Sequence, residues 1–103
     1  EAASIAALWL PEPHEFLGEP LFCPAASGEA EDAGYVVGLL LDGREKKSSV
    51  VVFDAQDIAA GPISRVRLPT FLPHGLHGCW VPEMAPEWEA IDKAWQAAPP
   101  SLR

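Results

Sequence analysis

His77 stands between Gly75 and Gly78, with bulky Leu76 and Trp80 facing the other way. Flanking glycines let a backbone pass close to another body, such as a metal ion or a packed axis. A neutral imidazole is the commonest metal ligand. The same ring would serve equally well as a structural histidine bonded to a backbone carbonyl. Glu19, followed by Pro20, lies in a segment otherwise short of charge, Phe16-Leu17-Gly18 before it and Leu21-Phe22-Cys23 after it. It reads as a solvated turn carboxylate, or as one that holds a metal-bound histidine by its far nitrogen and so fixes tautomer and orientation. The residues themselves leave both choices open.

His74-x-x-His77-x-Cys79 invites a zinc reading, since zinc accepts imidazole and thiolate. Structural zinc takes four ligands from paired hooks, however, and no second hook exists; His14 and Cys23 are distant and irregularly spaced. Glu29, Glu31 and Asp32 form an acidic cluster without the ordered oxygen ligands of a calcium loop, which makes it a solvated loop. No glycine-rich phosphate loop, no G-x-S-x-G and no Cys–His pair with an orienting partner is present.

These side chains must be positioned by a small chain of 103 residues with 49% hydrophobic and 21% charged residues, a globular composition. Seven basic against 15 acidic side chains give a formal charge of -8. That balance repels phosphate backbones, so no nucleic-acid partner is expected. No apolar run approaches the roughly 18–20 residues of a membrane span. Eleven prolines leave little room for long helices. The two cysteines, Cys23 and Cys79, are expected as reduced thiols in an intracellular compartment. The chain opens on Glu1 rather than Met, and its strand content is meagre for an independent core. It is therefore expected to be a fragment or C-terminal region of a larger protein.

Tyr35–Leu41 and Ser49–Phe53 are the strongest strands, aliphatic and β-branched, joined by a hairpin loop that begins Asp42-Gly43. Their near-continuous apolarity implies burial on both faces. Ile5–Leu10 and Leu21–Cys23 read as short strands, and Ile63–Leu68 as a half-exposed edge strand with Arg65 and Arg67 on its polar face. Gly75–Val81 is a further candidate strand that would put His77, Cys79 and Val81 on one face. The tail predicts a helix over Pro86–Ala97, with Pro86 at its first position and a Trp88/Ile91/Trp95 stripe packed on the domain.

Taken in order, Gly18-Glu19-Pro20-Leu21-Phe22, Glu31-Asp32-Ala33-Gly34-Tyr35, Phe53-Asp54-Ala55, Val66-Arg67-Leu68-Pro69 and Pro73-His74-Gly75-Leu76-His77-Gly78 resemble the C-terminal end of the carotenoid oxygenase family. That family comprises the carotenoid cleavage dioxygenases and the retinoid isomerohydrolase of the visual cycle. The resemblance covers about residues 17–82. It implies an all-β fold, the end of a seven-bladed β-propeller built of short antiparallel strands, with residues 1–82 as the final blade or blades. Residues 83–103 would be a C-terminal helical extension. It further implies ferrous iron, Fe(2+), held by four histidines of which His77 is the last, and Glu19 as the carboxylate behind an iron ligand. Pairing Glu19 with His77 is the specific expectation.

The implied activity is oxidative cleavage of a double bond in a carotenoid or apocarotenoid by O2, with the fragment alone inactive. Implied partners are the polyene, O2, the upstream remainder of the propeller and a peripheral membrane contact of the full-length protein. Location would be plastid or cytoplasm. Leu76 in place of the usual Phe, His74 in place of Tyr, Ala33 in place of Asp and Cys79 in place of Thr or Ala bear on substrate and subfamily. The alternatives are a retinoid isomerohydrolase-type relative, a non-catalytic polyene-binding β-domain and, from outside the family, a small zinc module.

Overall fold

Strands β3 (Gly34–Asp42) and β4 (Lys47–Asp54) pair antiparallel from Tyr35 opposite Asp54 to Asp42 opposite Lys47. They form the centre of a computed structural model that describes residues 3–28, 30–82, 84 and 87–102. Valine and leucine dominate both strands because branched and aliphatic side chains fit a pleated surface covered on each side. The Asp42 carboxylate closes the hairpin by accepting the N–H groups of Arg44 (2.8 Å) and Glu45 (2.9 Å). This is the local bond that makes aspartate a turn former.

On one flank β5 (Ser64–Arg67) pairs with β4, Val66 opposite Val50. On the other flank β1 (Glu15–Leu17) and β2 (Leu21–Pro24) both pair with β3. Leu17 lies opposite Leu40 and Leu21 opposite Val37, so four steps along β1–β2 face three along β3. The extra residue is a bulge at Gly18-Glu19-Pro20, where Pro20 has no N–H to give to the ladder.

The period of two sorts the sheet into two working faces. Leu40 and Phe53 are buried with Val51 on the first, partly covered by Trp9 and Ile58. Trp9 meets Phe53 edge to face, with ring centroids 5.0 Å apart. Each fully buried side chain of this size contributes about 1.5–3 kcal/mol. On the second face the chain leaving β5 returns across the sheet. Ser48, wholly buried, fastens it: Ser48 Oγ donates to the Leu72 carbonyl (3.0 Å) and accepts from the Leu72 N–H (2.9 Å).

Three sequence expectations are corrected. Ile5–Leu10 is extended but joins no ladder, and works instead through Trp9 as a cover for the core. Gly75–Val81 forms no strand, because its segment crosses over the sheet rather than lying beside an edge. The tail does fold into helix α1 (Trp88–Ala97), yet none of its residues is buried, and Trp88, Ile91 and Trp95 are exposed. One sheet face is already taken by Trp9 and the other by the returning segment, so the stripe finds no surface here. Pro86, expected to open the helix, and Glu29 of the acidic cluster lie outside the described residues. The two cysteines are free, Cys23 buried and Cys79 exposed.

The radius of gyration is 17.0 Å, against about 13 Å for a closed globule of this length. This sheet with its tail is not a self-contained globule.

Candidate metal centre

Glu19 reaches its position because the β1–β2 bulge breaks the alternation of side chains at the sheet edge. His77 reaches the same place from the other direction, at the far end of the segment that Ser48 pins to β4. The two side chains meet: His77 Nδ1 lies 3.0 Å from Glu19 Oε1. The second carboxylate oxygen, Oε2, accepts the Gly78 N–H at 3.1 Å. Both are long-range contacts, and together they clamp two consecutive residues of the crossing segment.

An ionised carboxylate only accepts, so the proton of a neutral His77 ring sits on Nδ1 and the Nε2 lone pair is left free. Both side chains are substantially exposed in this chain. An exposed pair of this kind adds little stability; its consequence is orientation.

Two glycines make the crossing tight. A Cβ at Gly78 would stand 3.2 Å from Leu21 Cδ1, and one at Gly18 would stand 3.1 Å from His74 Cδ2. Below the segment is a cavity of about 270 Å³ lined by Leu21, Val37, Leu39 and Val50, with Glu19, His74 and His77 at its polar side. Of the residues singled out in the sequence, Glu19, His74 and His77 therefore share one site.

The H-x-x-H-x-C zinc group does not assemble. Among the described residues the single grouping of three potential ligands is His14, Glu15 and Asp42, at the opposite end of β1. There Glu15 is already engaged by the Arg65 guanidinium. Sequence reasoning missed Ser48 and the bulge. Pro20 signalled the latter, while nothing local marks one serine in a β-strand as an anchor.

The site is thus a histidine bonded by a carboxylate at a sheet edge, beside a cavity with an apolar lining. Residues 2–82 match the model of the family described as Retinal pigment epithelial membrane protein. The chain belongs to this family, the carotenoid oxygenases. It is 43% identical over 68 residues to apocarotenoid-15,15'-oxygenase of Synechocystis, covering 66% of this chain and 14% of that protein. It is 46% identical over 78 residues to resveratrol cleavage oxygenase 1 of Chaetomium globosum, covering 76% and 12%.

Among solved structures, lignostilbene dioxygenase of Pseudomonas brassicacearum superposes with a TM-score of 0.65 at 45% identity, over 72% of this chain and 15% of that one. The cobalt-substituted Synechocystis ACO gives 0.64 at 42% identity, over 67% and 14%. The fold is thus a piece of the carotenoid-oxygenase β-propeller, and the chain spans about a seventh of the length of these relatives. The relatives are named as oxygenases of an apocarotenoid, an epoxycarotenoid and resveratrol, and the Synechocystis protein is one that accepts cobalt.

Proposed function

We propose that this chain is the C-terminal part of a non-haem Fe(II) dioxygenase that splits a double bond of a conjugated alkene with O2. Residues 1–82 supply the closing part of the propeller, and 83–103 a helical extension. The observation that carries this reading is the Glu19 clamp on His77 and Gly78, at 3.0 and 3.1 Å.

The residues present fit one quarter of a four-histidine iron site. Glu19 holds the His77 proton at Nδ1, which leaves Nε2 unprotonated and its direction fixed. Imidazole nitrogen suits ferrous iron, and among the described residues His77 belongs to no grouping of three or more potential ligands. Three further histidines then come from the rest of the propeller, and the isolated chain is inactive. Bound ferrous iron supplies the activation of O2 towards the alkene.

This chain's own contributions are the ligand, its brace and a wall. Leu21, Val37, Leu39 and Val50 give the cavity an apolar lining that accepts a conjugated hydrocarbon and excludes water from its neighbourhood. Carotenoids and apocarotenoids satisfy that lining, as the family resemblance implies. Stilbene-type alkenes satisfy it equally, and the Chaetomium resveratrol relative supports them with 46% identity.

The test is the full-length protein carrying His77→Ala or Glu19→Gln. His77→Ala is expected to purify without iron and to yield no aldehyde products from β-apo-8'-carotenal or 4-hydroxystilbene. Glu19→Gln is expected to bind iron about 10–100-fold more weakly, read by metal analysis after dialysis against graded chelator. Full iron content and turnover in His77→Ala would overturn the reading.

A further inference from the structure

We propose that helix α1 is a strap, its Trp88/Ile91/Trp95 face docked on the part of the same polypeptide that precedes Glu1. This goes beyond the oxygenase reading but rests on its claim that most of the propeller lies upstream.

At about 100° per residue, Trp88, Ile91 and Trp95 fall within about 60° of one another around the helix. Ala90, Ala94 and Ala97 continue that arc, while Glu89, Asp92, Lys93 and Gln96 share the opposite side. Yet Trp88, Ile91 and Trp95 are exposed, and nothing local sustains the helix. No side chain caps its first turn and no basic residue sits in its last. Ten residues are also too few for a helix that is stable in water by itself. A helix so built holds its shape by burying its apolar face.

Three occupants could cover the stripe, and two fit poorly. A lipid surface selects a polar face rich in lysine and arginine. This face carries Glu89 and Asp92 against Lys93 alone, in a chain of formal charge -8. A second copy needs about 800 Å² from each partner. Two tryptophans at about 150–250 Å² each, with one isoleucine, fall short of that. A surface on the same polypeptide needs less area, because a short tether keeps the helix at a millimolar effective concentration.

The tether is short here. Five residues separate Pro82 from Trp88, a reach of about 20 Å at most. The receiving surface therefore lies near Pro82, on the side of the molecule where Glu19 fixes Gly78. The sheet of this chain does not provide it, since Trp9 covers one face and the crossing segment the other. The chain spans about a seventh of its relatives, so the surface within reach belongs to the preceding part of the propeller.

The experiment uses the full-length protein, with its iron content measured, and its Trp88→Asp/Trp95→Asp variant. Amides of residues 92–97 are expected to exchange at least about 100-fold more slowly than in an unstructured chain. In the variant that protection is expected to vanish, with the β3–β4 ladder and the iron content unchanged. A photo-crosslinking substitution, Trp95→p-benzoylphenylalanine, is expected to bond a peptide preceding Glu1, in a product of single-chain mass. This second variant answers even where the double variant misfolds. A product of doubled mass, or protection that rises with protein concentration, assigns the stripe to a second copy and overturns the proposal. Protection gained only on adding phosphatidylcholine vesicles assigns it to lipid and overturns it too. A cross-link within residues 1–82, or protection that survives in the double variant, has the same consequence. An unprotected helix in iron-replete protein also overturns the strap, while leaving the oxygenase reading standing. Well-folded protein without iron counts against the oxygenase reading alone, and the cross-link then still decides the strap.

Discussion

At the scale of single residues, the site depends on a side chain that does no chemistry. Ser48 both donates to and accepts from the Leu72 backbone, 24 residues away, and is wholly buried. The segment it fastens then runs to His74 and His77, so an error at Leu72 is carried to the imidazoles. In Ser48→Ala the Leu72 amide loses its acceptor and its carbonyl loses a donor, a net cost of about 1 kcal/mol per bond. Hydrogen–deuterium exchange on the full-length protein is expected to show the Leu72 amide opening about tenfold faster, with the β3–β4 ladder unchanged. Equal protection at Leu72 in both proteins would mean that the prolines, not the serine, hold the crossing.

At the scale of elements, bonds between sequence neighbours build the hairpin, while distant bonds place the segment that crosses the sheet. The β3–β4 hairpin was legible, because Val36–Leu41, Val50–Phe53 and the Asp42-Gly43 turn all act through neighbours in sequence. The edge strand β5 was legible for the same reason, through its alternation. The segment over 69–78 was not. Its bonds go to Ser48 and Glu19, at separations of 24 and 58–59 residues, which no local periodicity encodes. The expectation that Glu19 meets His77 came from the order of whole motifs, not from any pattern in the residues around either.

The connection between β4 and β5 supplies an element-scale prediction. Gly61 sits at φ 84° and ψ −172°, closing the short 3-10 turn Ile58–Ala60 against Trp9. That conformation is open essentially only to glycine, and another residue there costs about 1–3 kcal/mol. Gly61→Ala is therefore expected to loosen the Trp9 cover of the core. Increased quenching of tryptophan fluorescence by acrylamide, together with a lower urea midpoint, would register it. No change in either would mean that the turn relaxes without strain.

On the scale of the whole molecule, the two flanks of the sheet are tied together by one ion pair. Glu15 of β1 bonds the Arg65 guanidinium of β5, across 50 residues of sequence. The Glu15 side chain is 7% exposed. Burial pushes its carboxyl pKa up, but the bond from Arg65, the Glu12 N–H and the nearby positive charge together outweigh this and hold it below the usual carboxylate value of 4.5. Asp42 is lowered as well, chiefly by the Glu45 N–H, so the two act in the same direction. A carboxyl depressed in the folded state binds its proton more readily once unfolded. Its stabilisation is then complete above about pH 4.5 and drains away as the pH falls through the lower folded value. Glu15→Gln removes this contribution at every pH. Urea midpoints of the two full-length proteins are accordingly expected to differ most at neutral pH and to converge as the solution is acidified below the ordinary carboxylate range. A difference that stayed constant through that range would show that the pair contributes by packing alone, and that the charge on Glu15 does not bind the flanks of this sheet together.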